Sequence, residues 1–194
     1  MSNKEEIQAI ENLEDCTPIT NNEITMKPFA KSEGSTSCSY FTGGGINLSR
    51  EDLGSLDLFV AEKVTNTASG NFIETKYATP GKYAAEFRTR FCFDETYKEG
   101  DSSIYMTQRV AAKGNWNLGK GFSIYEIAGA NAKISLQGDG VQSVTPTSIT
   151  GLGYKINKQI SVYGEFEMAQ AYKVPDKKWD DFKCGGYLGI KVTF

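Results

Sequence analysis

The stretch from Phe182 to Phe194 alternates strictly. Leu188, Ile190, Val192 and Phe194 share one parity, and Lys183, Gly185, Tyr187, Gly189, Lys191 and Thr193 share the other. A period of two marks a strand whose two faces meet different surroundings. A soluble sheet would turn the apolar row to a core, yet ends of soluble domains usually fray into water, and this sequence stops on an apolar strand with an aromatic side chain.

The pattern recurs upstream. Tyr83, Ala85, Phe87, Thr89, Phe91 and Phe93 oppose Glu86, Arg88, Arg90 and Asp94, and Ile160, Val162, Gly164, Phe166 and Met168 oppose Ser161, Tyr163, Glu165 and Glu167. Shorter versions occur at Leu56, Leu58 and Val60, and at Ile73, Thr75 and Tyr77. Alternation sustained over about ten residues suits a tilted path across a bilayer, whereas soluble strands usually run to about five or six. Both facts favour an all-β chain with hydrocarbon outside and polar groups within.

The terminal pattern resembles that of bacterial outer-membrane β-barrel proteins, whose last strand carries apolar residues at every second position and ends on Phe or Trp. Leu188, Ile190, Val192 and Phe194 match it. The resemblance implies an antiparallel up-and-down transmembrane β-barrel of about eight strands in the bacterial outer membrane, with the lipid bilayer and the barrel-assembly machinery as partners and Phe194 as the assembly signal. By the same resemblance, such small barrels serve as membrane anchors, as surface-binding proteins or as narrow passages for solutes.

Composition narrows the chemistry. The 194-residue chain carries a net charge of −3 and no histidine, so a cationic footprint for nucleic acid is missing and His-dependent nucleophilic or zinc chemistry is excluded. Cys16, Cys38, Cys92 and Cys184 form no C-x-x-C pair, which argues against a metal site; Cys16 and Cys38 are candidates for a disulfide in an oxidising compartment. No cofactor is expected. Gly43-Gly44-Gly45 lacks the Lys-Ser/Thr of a phosphate loop and reads as a bend or a kinked strand. No run reaches the roughly 20 apolar residues of a transmembrane helix. Met1 to Glu6 shows no apolar signal region, so an exported chain requires Met1 to stand before a mature sequence.

Two parts are expected, residues 1–54 and 55–194. In the first, Ile7, Ile10 and Leu13 suggest a short helix over Ser2 to Glu14, followed by a linker that tethers or plugs the barrel. The second holds the strands. A three-residue turn at Thr79-Pro80-Gly81 would set Tyr77 opposite Tyr83 and Glu74 opposite Glu86, with Arg88 or Lys76 neutralising the acids. A three-residue turn at Asn157-Lys158-Gln159, with Asn157 or Lys158 left-handed, would join the strands on either side. Gly114 to Gly119 reads as a turn that displays Trp116.

Glu74, Lys76, Glu86, Arg88, Arg90, Glu165, Glu167, Lys183 and Lys191 are assigned to a lumen-facing polar network. Phe87, Phe91, Val162, Phe166, Leu188, Ile190 and Val192 are assigned to lipid. An eight-stranded interior has room only for side chains, so the network is expected to fill it. Tyr154, Tyr172, Trp179, Tyr187 and Phe194 suit an interfacial girdle. Cys92 and Cys184, on opposite faces of non-neighbouring strands, are not expected to bond. The rival readings are a soluble lipocalin-like barrel with its apolar rows turned inward on a hydrophobic ligand, and a subunit of a β-rich assembly. Catalysis is the weakest reading, since Glu165 and Glu167 are explained by a charged strand face.

Overall fold

The computed structural model describes residues 24–35, 39–97, 101–138 and 140–194. The described residues form strands joined by turns: β1 (Thr25–Ser35), β2 (Tyr40–Arg50), β3 (Gly54–Val64), β4 (Ala68–Ala78), β5 (Tyr83–Thr96), β6 (Ser102–Gly119), β7 (Phe122–Ser135), β8 (Val141–Lys155), β9 (Ile160–Ala169), the short β10 (Tyr172–Lys173) and β11 (Lys178–Trp179), and β12 (Lys183–Thr193). No helix among them is long and apolar enough to cross a membrane.

Ten strands, β1 to β9 and β12, close into an antiparallel up-and-down barrel; β10 and β11 are a side hairpin on the edge of β8. The seam runs from β1 to β12, with Phe29 opposite Thr193 and Ser35 opposite Tyr187. Beside it the Phe194 amide donates to the Pro28 carbonyl at 3.1 Å. The wall starts at Thr25, so it includes a stretch the sequence assigned to a segment outside the barrel, and the strand number is ten in place of about eight. The Ser2 to Glu14 helix, Cys16 and Cys38 lie outside the described residues.

Pro28 and Gly43-Gly44-Gly45 hid β1 and β2 from periodicity. Gly43 and Gly45 belong to the inward parity of β2, where a side chain has no space. A methyl group on Gly45 would come within 2.9 Å of the Phe29 ring. The glycine run is therefore a regular part of the wall, cut back to admit an aromatic ring from β1.

Two hairpins show how register was set. At the β4–β5 turn, Glu74 faces Arg90, Lys76 faces Arg88 and Tyr77 faces Phe87. The expected pairing is wrong by four residues. Tyr83 and Ala84 pair with β6 instead, and the hairpin closes between Thr79 and Ala85, whose amide donates to Thr79 Oγ1 at 2.8 Å. An even slip leaves every side chain on its face and replaces an acid facing an acid with an acid facing a base. At the β8–β9 turn, Lys155 faces Ser161, so Asn157, Lys158 and Gln159 form the loop. Neither Asn157 nor Lys158 is left-handed, since Lys120 and Lys177 are the non-glycine residues with positive φ among those described. The Asn157 side chain does the work: its Oδ1 accepts the amides of Gln159 and Ile160, each at 2.8 Å.

Trp116 is part of β6, which continues to Gly119, and its ring packs edge-on against Tyr83 at 6.3 Å. The true turn, Gly119-Lys120-Gly121, has positive φ at all three residues.

Candidate functional site

The outward parity of the wall is largely apolar; Glu62, Gln108 and Glu126 are exceptions, and Glu126 accepts hydrogen bonds there from Ser148 and Thr150. Leu58, Val60, Ile73, Phe87, Phe91, Val110, Leu152, Phe166, Leu188 and Ile190 are all exposed there, Leu188 at 75%. Val162 and Val192 alternate onto the same face and are half-buried. Soluble monomers rarely display contiguous apolar surface of this extent. Around one rim the outward aromatics Tyr77, Tyr83, Trp116, Phe122 and Tyr154 occupy successive strands; Phe122 and Tyr154 lie 4.5 Å apart and the Tyr77 hydroxyl donates to the Leu53 carbonyl. Tyr187, expected in the girdle, has inward parity and lines the lumen with Tyr163 and Tyr125.

The inward face is polar and aromatic. Along one row that steps from strand to strand, Asn47, Asp57, Lys76, Arg88, Arg109 and Asn131 are direct neighbours. Three cations side by side would repel, and acids stand between and beside them. Lys76 reaches Asp57 at 2.7 Å, and Asn47 donates to the same carboxylate at 2.6 Å. Glu74 takes two hydrogen bonds from Arg90, at 2.6 and 2.9 Å, and lies 3.9 Å from Arg88. Arg109, 7% exposed, grips Glu86, 2% exposed. Charges this deep persist only when paired and hydrogen-bonded.

Beside this network Phe29, Phe59, Phe72, Ala61 and Cys92 make a buried cluster, with Phe29 and Phe59 stacked at 5.6 Å and the Arg90 guanidinium 4.1 Å from the Phe72 ring centre. Cys92 is thus on the inward face as a packed apolar side chain and Cys184 is exposed on the outward face; both are free thiols. Ala111, Ile127 and Ile149 form a smaller cluster across β6, β7 and β8.

The structure brings Glu74, Lys76, Glu86, Arg88, Arg90, Glu165, Glu167 and Lys191 to one interior cavity. Lys183 is not among its lining residues. It has the inward parity but lies at the exposed first position of β12, beyond the enclosed part of the wall. Several lining residues went unassigned in the sequence, including Lys31, Glu33, Arg109 and Lys113. Arg109 was hidden beside Gln108; the row Ile104, Met106, Val110 and Ala112 on the opposite parity was the signal that would have placed it inward.

The interior is not full. A cavity of about 810 Å³ is lined by residues of all ten wall strands, touching Asn157, Lys158 and Gln159 at one end of the barrel and Ser35 and Ser39 at the other. Barrel diameter grows with strand number, and the two strands beyond eight open space that the ion pairs do not occupy. The filled lumen expected from the sequence is therefore corrected to a partly filled one. Tyrosines hold two of the acids: Tyr163 donates to Glu33 at 2.8 Å and Tyr125 donates to Glu165. Among the described residues no cluster of acids or cysteines is arranged to hold a metal ion.

No family model matches the sequence, and no curated protein matches it. Solved structures with a similar fold include OmpT, an outer-membrane protein of Vibrio cholerae, in a loop-deletion form (10% identity, TM-score 0.39, 80% of this chain and 54% of that one). They also include the Neisserial surface protein NspA (15%, 0.37, 87% and 96%) and the NanC porin (11%, 0.42, 86% and 100%). The chain spans about half the length of the Vibrio OmpT. Likeness this slight carries nothing about activity, and the functional reading rests on the barrel's own two faces.

Proposed function

We propose that this protein is a non-enzymatic β-barrel of the bacterial outer membrane that provides a narrow passage for small solutes. The observation that carries the membrane assignment is the inversion of the two faces: Phe87, Phe91, Leu188 and Ile190 are exposed on the outside while Arg88, Glu74, Glu86 and Arg109 are paired inside. A lipocalin-like soluble barrel requires the opposite arrangement. Wall strands of 10 to 18 residues meet or exceed the roughly 9 to 11 needed to cross a bilayer at a tilt. Docking onto a single neighbouring subunit would cover one sector only, whereas exposed apolar side chains occur on strands right round the wall.

Among roles open to such a barrel, the cavity favours passage over simple anchoring. Its lining reaches from the β8–β9 turn to the β1–β2 end, and its volume falls within the roughly 300 to 1,000 Å³ range of small-molecule sites. Phe194 at the end of β12 is assigned the role of recognition signal for the assembly machinery.

The test has two stages. Refolded protein should require detergent or lipid and should run as a compact band on a gel until boiled; a monodisperse species in plain buffer would end the membrane reading. Inserted into planar bilayers, it should give discrete conductance steps. Inserted, folded protein that passes no current would leave an anchor or surface-binding role in place of a passage.

A further inference from the structure

We infer, building on the passage reading, that the lumen selects small anionic solutes, and that Lys27, Lys113 and Lys191 set this preference. Acids and cations inside the lumen are unequally partnered. The deeply placed carboxylates along the cavity have donors of their own: Asp57 has Lys76 and Asn47, Glu74 has Arg90, Glu86 has Arg109, Glu33 has Lys31 and Tyr163. Glu165 is held by the hydroxyl of Tyr125, and Tyr187 faces it across the β9–β12 pair.

The cations outnumber these acids. Lys27, Lys113 and Lys191 line the cavity without an ion-pair partner among the described residues. Lys113 rests over the Tyr125 ring at 5.1 Å and Lys191 over the Phe29 ring at 4.2 Å; a ring face steadies a cation without cancelling its charge. At the β8–β9 end, exposed Lys155 and Lys158 continue the positive lining to the rim. The whole chain is nonetheless net negative, at −3, so the positive character belongs to the cavity and is not a property of the surface at large. A low-dielectric cleft lined by one sign of charge focuses its field and concentrates the counter-ion.

Reversal potentials across planar bilayers under a KCl gradient test this. Chloride should permeate in preference to potassium. The variant Lys27→Gln/Lys113→Gln/Lys191→Gln should lower the chloride-to-potassium ratio by about twofold or more, as expected when a focusing field is removed. Because Lys113 and Lys191 also pack on rings, Lys27→Glu at the exposed rim serves as a second variant that leaves packing alone and should lower the ratio by itself, while Lys27→Arg should preserve it. A conducting barrel that prefers potassium, or whose ratio is indifferent to all these changes, overturns the inference and leaves the passage reading standing. Folded, inserted protein without conductance overturns both.

Discussion

Lys31 and Lys191 face each other directly across the β1–β12 seam, and the two ammonium groups are drawn apart, Lys31 to Glu33 at 2.9 Å and Lys191 to the Phe29 ring at 4.2 Å. Directly opposed like charges cost about 0.2 to 1 kcal/mol, and a cation over a ring returns about 0.5 to 2 kcal/mol. The two nearly cancel. Lys191→Gln should therefore change unfolding stability in lipid by less than about 1 kcal/mol, measured by denaturant titration, even as it alters ion preference. A large loss would mean that Lys191 is a structural residue.

Glu86 presents the opposite case. It is almost fully buried with Arg109, so Glu86→Ala leaves an uncompensated guanidinium inside the wall and should cost about 3 to 5 kcal/mol. Replacing both partners, as in Glu86→Leu/Arg109→Met, should recover most of that loss. The check is denaturant unfolding of all three proteins in the same lipid; a double variant as unstable as the single one would refute the desolvation account.

Leu188 lies at the centre of β12 on the outward face, and Leu118 lies near the rim end of β6. If hydrocarbon surrounds the wall, Leu188→Arg should cost about 2 to 4 kcal/mol and Leu118→Arg about 0 to 1 kcal/mol. Equal and small costs at both depths would contradict a bilayer around the barrel.

Gly189 lies beneath the Tyr163 ring, where an added methyl would sit 2.6 Å from Cε2. Gly189→Ala should push the ring off Glu33 and lower stability by about 1 to 3 kcal/mol through overpacking. Combining it with Tyr163→Ser should relieve most of the strain. If the double variant is no better than Gly189→Ala alone, the ring is not what the glycine accommodates.

Phe194→Ser, which keeps the amide that bonds the Pro28 carbonyl, should slow assembly into the outer membrane in cells while leaving refolding into detergent nearly unchanged, because the Phe194 side chain is 72% exposed. Surface labelling in cells, compared with gel mobility after refolding in vitro, separates the two effects. Equal impairment in both settings would make Phe194 a packing residue.

Much of this architecture was legible in the residues, and the failures have local causes. β5, β9 and β12 could be read because charge and hydrocarbon alternate cleanly there, and face assignment depends only on parity. Register is harder. Tyr77 could have met Tyr83 or Phe87 with identical faces, and what decided was Glu74 finding Arg90 in place of Glu86, a choice that no single strand reveals. β1 and β2 escaped because Gly43 and Gly45 give up their side chains to make room for residues of neighbouring strands, so the reason for their composition lies elsewhere in the chain. Missing those two strands then led to an interior imagined as too small. Arg109 and Tyr187 were lost for a different reason, since a polar neighbour in one case and an interfacial residue type in the other outweighed parity.

The join between β1 and β12 has a consequence for biogenesis. Residues separated by most of the polypeptide must find each other before the ring is sealed, and until they do, two raw strand edges and a greasy exterior coexist in one molecule. Any break or stall before Lys183 leaves a curled ribbon with sticky margins, the kind of species that stacks on its own copies. Whether the first and last staves have met is thus the one difference between a sealed ring and a ribbon open to its own copies.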